Sequence, residues 1–199
     1  MSEGQKNDGN TALLLIDIQK GFDEEAHWGK RNNPGAEANA ARLLALFREL
    51  ELPVFHIQHL STEENSPLRP EKAGAQIKEL VAPRGSEPVI TKNVNSAFIG
   101  TDLEQRLQAL GISELVLAGL TTDHCVSTST RMAGNLGFKA FLAEDACATF
   151  DRLAPDGRRW TAEDIHSSAL ASLNGEFAEV ISSDEIISRL RSSATLQKS

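Results

Sequence analysis

Three side chains in this chain have the types and placement for nucleophilic chemistry. Asp17 ends the apolar run TALLLIDI, Lys92 lies in PVITKN, and Cys125 follows a turn of small residues in VLAGLTTDHCVSTSTR. A thiolate is a nucleophile. A carboxylate beside it can take the thiol proton and return it to a leaving group, and an ammonium can steady the negative charge. A helix N-terminus and a nearby cation lower a thiol from about 8.5 into a range of roughly 3.5 to 7.5. With Lys92 as the cation and a helix starting near Thr122, Cys125 is expected to have a lowered pKa. Each residue alone has an ordinary reading: a strand-end acid caps or pairs, a lysine is solvated, a cysteine packs. Their common placement just beyond strand ends favours chemistry.

The elements that must position them are legible as alternating apolar runs and helical periodicities. Strands are expected at 11–18, 53–60, 88–93, 113–120, 138–145 and 178–182. Helices are expected from Asn33-Pro34 to residue 50, from Thr101 or Asp102 to the stop at Gly111, over 122–137 and 161–175, and from a Ser182 or Ser183 cap to Arg191. This alternation predicts an α/β protein: one domain with a three-layer α/β/α Rossmann-like fold on a mostly parallel six-stranded sheet. In such a sheet ligands bind beyond the carboxyl ends of the strands. The irregular stretches 23–32 and 61–85 follow strand ends and are the expected substrate loops. Residues 1–10 read as a disordered lead, 11–191 as the domain and 192–199 as a frayed tail.

Bulk properties narrow the classes. With 199 residues and 40% hydrophobic content, the chain can build one full core. A formal net charge of -8 argues against nucleic acid or anionic membranes as partners. No apolar run is long enough to span a bilayer, and MSEGQKNDGN lacks the pattern of a signal peptide. Two cysteines, Cys125 and Cys147, read as free thiols in a reducing cytoplasm. Cys147, in EDACATF, is expected to pack.

The segments LLLIDIQKGF, ITKNVNSAF and LVLAGLTTDHCVSTSTRMAGNLGF together resemble the signature segments of the isochorismatase-like cysteine hydrolases, over about 11–187. This superfamily includes nicotinamidases and N-carbamoylsarcosine and ureidoacrylate amidohydrolases. The resemblance implies that Asp17 is the acid–base group, Lys92 the lysine and Cys125 the nucleophile. It also implies a cis peptide at Leu120-Thr121, with the N–H groups of Thr121 and Cys125 forming an oxyanion hole. HLSTEENSPLRP resembles a subgroup that includes streptothricin-hydrolase-like members, in which the segment walls the substrate pocket. Relatives are often oligomeric, so a homo-oligomer (dimer or tetramer) is expected, with the small residues of TSTRMAGNLG as one packing surface between copies.

The expected reaction is therefore hydrolysis of a small-molecule amide or related C–N bond through a thioester, with no cofactor. The vinyl-ether-cleaving isochorismatases resemble the chain in fold but typically lack the cysteine. A non-catalytic scaffold or metabolite-binding role is the rival from another class. Phe22 and Trp28 could stack on a flat amide or ring. His59, Ser96, Phe98 and Thr122 are further substrate-contact candidates, while His124 either polarises the site or packs on a loop. Nicotinamidases hold a metal after the second strand with an aspartate and histidines. Here His56 and His59 are three apart on a strand and point to different faces, without the matching acid. No metal is expected; His56 is read as a sheet residue and His59 as lining the pocket.

Overall fold

β1 (Thr11–Ile16) reads TALLLI and is buried along its whole length, as a strand covered by helices on both faces must be. The structure, a computed structural model, describes residues 10–196. After β1 come a 3-10 turn at Lys20–Asp23, the short α1 (Glu25–Trp28), α2 (Ala36–Glu49), β2 (Val54–His59) and β3 (Val89–Lys92). α3 (Leu103–Ala109) leads to β4 (Glu114–Leu120), a π-helical turn at Thr122–Val126 and α4 (Ser127–Asn135). β5 (Lys139–Ala148), β6 (Arg152–Leu153), β7 (Arg159–Trp160), α5 (Ala162–Leu173), β8 (Glu179–Ile181) and α6 (Ser183–Leu196) complete the described chain.

The main sheet has the order β3-β2-β1-β4-β5-β8, and all its pairs are parallel. The chain winds outward from β1 to β3, then returns to β4 on the other side of β1. That reversal opens a crevice at the carboxyl ends of β1 and β4, where an open α/β sheet binds ligands. Side-chain alternation divides the core in two. Leu14, Ile16, Ile57 and Leu117 pack with Leu103 and Leu107 of α3, Ala133 of α4 and Leu170 of α5. Leu13, Leu15, Val116 and Ala118 pack with Leu43 and Phe47 of α2 and Ile186 and Leu190 of α6. The expected three-layer α/β/α fold with a six-stranded sheet is what forms.

Several boundaries differ from expectation for local reasons. β1 stops at Ile16 because Asp17 turns into the left-handed region at φ 52. α2 starts at Ala36 and not at Asn33, whose φ of 42 is also left-handed. Ser182 caps α6, accepting from the Glu185 N–H at 3.2 Å. α6 continues to Leu196, so residues 192–196 are a helical turn and not a frayed tail; 197–199, and the lead up to residue 9, lie outside the described residues. The small residues of α4 pack within the chain: a Cβ at Gly134 would lie 3.0 Å from the Phe177 carbonyl oxygen. Among the described residues no helix is long and apolar enough to cross a membrane.

Candidate active site

Sheet register brings the first two charged groups together. His59 and Lys92, the last residues of β2 and β3, are paired across the strands. Ile16 pairs with Ile57 on one side and Gly119 on the other, so Asp17, the next residue, emerges one residue short of the level of the His59–Lys92 pair. Its backbone N–H donates to the Ile57 carbonyl at 3.0 Å, and aspartate tolerates its left-handed conformation better than most residues. Lys92 Nζ donates to Asp17 Oδ2 at 2.6 Å, with both side chains fully buried. The same ammonium lies 3.2 Å from His59 Nδ1. Asp17 Oδ1 is buried and has no hydrogen-bond partner among the described residues.

β4 delivers the thiol. It runs so close to β1 that a Cβ at Gly119 (φ 138) would sit 1.9 Å from the Ile16 carbonyl oxygen. The Leu120-Thr121 peptide is cis, as the resemblance implies. The helix then begins with one wide turn, in which the Val126 N–H reaches back to the Thr121 carbonyl at 3.2 Å. Cys125 lies in this turn, 8% exposed. Its sulfur is 3.7 Å from Asn95 Oδ1. One donor atom from each of Asp17, His59 and Cys125 falls within 4.8 Å of the others.

The electrostatics correct one expectation. The Cys125 thiol is not lowered: burial pushes its pKa well up, the Asp17 carboxylate pushes it further, and Lys92 offsets only part of this. The physical reason is that the Lys92 charge is already matched by Asp17 at 2.6 Å, which leaves burial to decide. Cys125 therefore rests as a thiol. His59 is pushed down, first by burial and then by the Lys92 charge, so its ring is neutral and Nδ1 can accept from Lys92. The donor set of Asp17, His59 and Cys125 would suit a soft divalent ion by ligand type. The lysine ammonium, however, already serves as the cation between its carboxylate and imidazole. His56 is elsewhere engaged, 2.9 Å from Glu87, which in turn takes two bonds from Arg48. The two histidines do not converge on a metal position.

The residues expected at the substrate wall divide. Phe22 and Trp28 form an aromatic cluster with Phe150, at centroid distances of 5.0, 6.1 and 5.6 Å. The Trp28 indole donates to the Gly21 carbonyl at 2.8 Å. Phe22 and Phe150 border a cleft of ≈ 490 Å³ with Asp23, Gly29 and Lys30. A second cleft of ≈ 560 Å³, bounded by Ser61, Arg69, Thr91, Lys92 and Asn93, opens beside the lysine. Three candidates have partners within the protein. Phe98 stacks on Phe138 at 6.2 Å in the core. The Ser96 hydroxyl accepts from the Phe98 N–H at 3.2 Å. Thr122 is fully buried, its hydroxyl 2.8 Å from His166 Nδ1. His124 is exposed and lies 3.4 Å from Asp123. Cys147 is fully buried, its thiol pushed up to about 12 by burial, as packing implies.

Other residues at the site gave no sequence signal. Asn95 and Phe150 were not singled out, although Phe150 is an aromatic just past a strand end. Asp123, two residues before Cys125, is held by Arg152 at 2.9 Å and by the Thr149 hydroxyl. Arg152 belongs to the β6–β7 hairpin, whose strands are too short to read from pattern.

The Isochorismatase domain family matches residues 11–185. The uncharacterized isochorismatase family protein YrdC of Bacillus subtilis is 46% identical over 176 residues, covering 88% of this chain and 94% of that protein. Streptothricin hydrolase of Streptomyces noursei is 31% identical, covering 88% of this chain and 60% of that protein. A crystal structure of an isochorismatase-family protein from Chromobacterium violaceum superimposes with a TM-score of 0.90 at 46% identity, over 96% of this chain and 100% of that one. With a thiol, a carboxylate and a buried lysine gathered at the crevice of this fold, the chain belongs to the isochorismatase family and is a cysteine-dependent hydrolase.

Proposed function

We propose that the chain hydrolyses a C–N bond of a small amide through a thioester on Cys125. The observation that carries this reading is the Asp17–Lys92 pair at 2.6 Å, with the other Asp17 oxygen buried and unpartnered beside the thiol. That oxygen is the base. As the sulfur attacks the carbonyl carbon, the thiol proton passes to Asp17 and the carbonyl electrons move onto oxygen. The N–H groups of Thr121 and Cys125 hold this oxyanion, a kind of contact worth roughly 2.7 to 4 kcal/mol per donor. Collapse of the intermediate breaks the C–N bond, and Asp17 gives its proton to the departing amine. Water, deprotonated by Asp17, then cleaves the thioester and restores the thiol.

Lys92 pairs with Asp17 at 2.6 Å in a dry pocket, where an unpaired carboxylate would be costly. The Phe22–Trp28–Phe150 cluster is the wall for a flat part of the substrate, and the loops at 23–32 and 61–85 choose it. Maleamate amidohydrolase of Pseudomonas putida, 28% identical over 90% of this chain and 86% of that protein, is named for amide hydrolysis and supports a C–N substrate class. The enzyme works in a reducing compartment, consistent with two buried free thiols, and as a homo-oligomer, which light scattering after size exclusion would test. The deciding experiment is a panel of small amides, carbamoyl compounds, ureides and lactams followed for ammonia or amine release. Cys125→Ala should abolish turnover of every accepted compound; retained turnover refutes the thioester.

A further inference from the structure

We infer that His59 is a positioning residue, a neutral imidazole that holds the Lys92 ammonium in place for Asp17 and Cys125. The inference rests on the cysteine-hydrolase reading above and adds a fourth side chain to it. A buried ammonium has three hydrogens to satisfy. Lys92 places one on Asp17 Oδ2 at 2.6 Å and a second on His59 Nδ1 at 3.2 Å. An acceptor that carried a negative charge would compete with Asp17 for the lysine and add repulsion against the forming thiolate. A neutral ring nitrogen takes the hydrogen without doing either. Because Nδ1 accepts, the proton of the neutral ring must sit on Nε2.

The backbone that carries the imidazole is itself held by a built arrangement. Gln19, two residues past Asp17, is fully buried. Its side chain donates to the His59 carbonyl at 2.9 Å and accepts from the His59 N–H at 2.8 Å. The same amide donates to the Ala75 carbonyl at 2.8 Å, tying the β1 exit, the β2 exit and the 61–85 loop together. One glutamine thus fixes the residue that fixes the lysine, and its own backbone adjoins the base. A residue that merely lined a pocket would need none of this.

The test has a structural arm and a kinetic arm. Long-range 1H–15N spectra of the histidine rings, assigned with the His59→Asn variant, should show His59 neutral near neutral pH and protonated at Nε2. An Nδ1–H tautomer or a charged ring overturns the proposal, whatever the substrate proves to be. In the kinetic arm, His59→Ala should lower kcat by about 10- to 100-fold, the worth of one hydrogen bond to a charged group, with KM little changed. His59→Asn, whose side-chain oxygen can accept from Lys92, should recover most of the loss. A loss confined to KM, or an equal kcat loss in both variants, refutes the positioning role. If no amide is turned over by the wild type, the function proposed above fails while the tautomer result still decides this one.

Discussion

Replacing Lys92 with methionine should unfold the protein far more readily than replacing both members of its ion pair. Asp17 and Lys92 have no exposed side-chain surface and meet at 2.6 Å. Lys92→Met removes the cation bonded to Asp17 and leaves a buried carboxylate whose other oxygen has no partner among the described residues. Breaking a buried pair in this way costs about 3–5 kcal/mol. For a domain of this size that corresponds to a fall in Tm of roughly 6–20 °C, taking about 2–4 °C per kcal/mol. Asp17→Asn/Lys92→Met removes both charges at nearly constant volume. It should recover most of the loss, because replacing a buried pair by uncharged groups is often close to neutral. Urea denaturation of wild type, both single variants and the double variant closes the cycle. If Lys92→Met lies within about 1 kcal/mol of wild type, outside the range for a broken buried pair, the pair does not stabilise the fold. Additive single losses would refute the coupling on which the site's electrostatics rest.

Two further predictions concern the scaffold around the site. Gly119→Ala should prevent folding or lower stability severely, since the added methyl would meet the Ile16 carbonyl at 1.9 Å in a left-handed backbone; a thermal melt like that of wild type would refute the close approach of β1 and β4. Glu37 is pushed up by burial, but Arg31 and Lys78 outweigh this and bring it from 4.5 to about 2. Its folded pKa is depressed, so its stabilising contribution is present above the unfolded value and is lost as pH falls through that window. Urea midpoints measured through the acid range should fall less steeply for Glu37→Gln than for wild type.

The parallel sheet was legible because β1 and β4 are continuous apolar runs and the intervening helices keep their own period. Strand-end placement also pointed to Asp17, Lys92 and Cys125, since local pattern alone locates such residues. What could not be read depends on contacts far apart in the chain. Phe98 sits close to Lys92 in sequence, but its stack on Phe138, forty residues on, has no local signature. Thr122 opens the nucleophile's turn, but His166 of α5 claims its hydroxyl. The hairpin carrying Arg152 has strands of two residues each, too short for any periodicity. The sign of the Cys125 shift was missed for a related reason. A helix start and a lysine are visible in sequence, whereas burial and the lysine's choice of Asp17 are not.

That sign leads to a prediction in which reactivity and catalysis part. The Asp17 carboxylate helps keep Cys125 protonated, second only to burial, while Lys92 acts in the opposite direction. Asp17→Asn removes the carboxylate's charge and frees the lysine to pair with the sulfur. A thiolate–ammonium pair then replaces the carboxylate–ammonium pair, and the thiol becomes easier to ionise. Alkylation of Cys125 by iodoacetamide near neutral pH, followed by mass spectrometry, should therefore be faster in Asp17→Asn than in wild type. Cys147, fully buried, should stay unlabelled in both and serves as the internal control for unfolding. Amide turnover should nevertheless be lost, because no group remains to carry a proton from sulfur to the departing nitrogen. In an enzyme that depended on a preformed thiolate, more thiolate would mean more activity. Alkylation that slows in parallel with turnover would show that Asp17 activates the sulfur at rest, and would refute a base that acts only as the carbonyl is attacked.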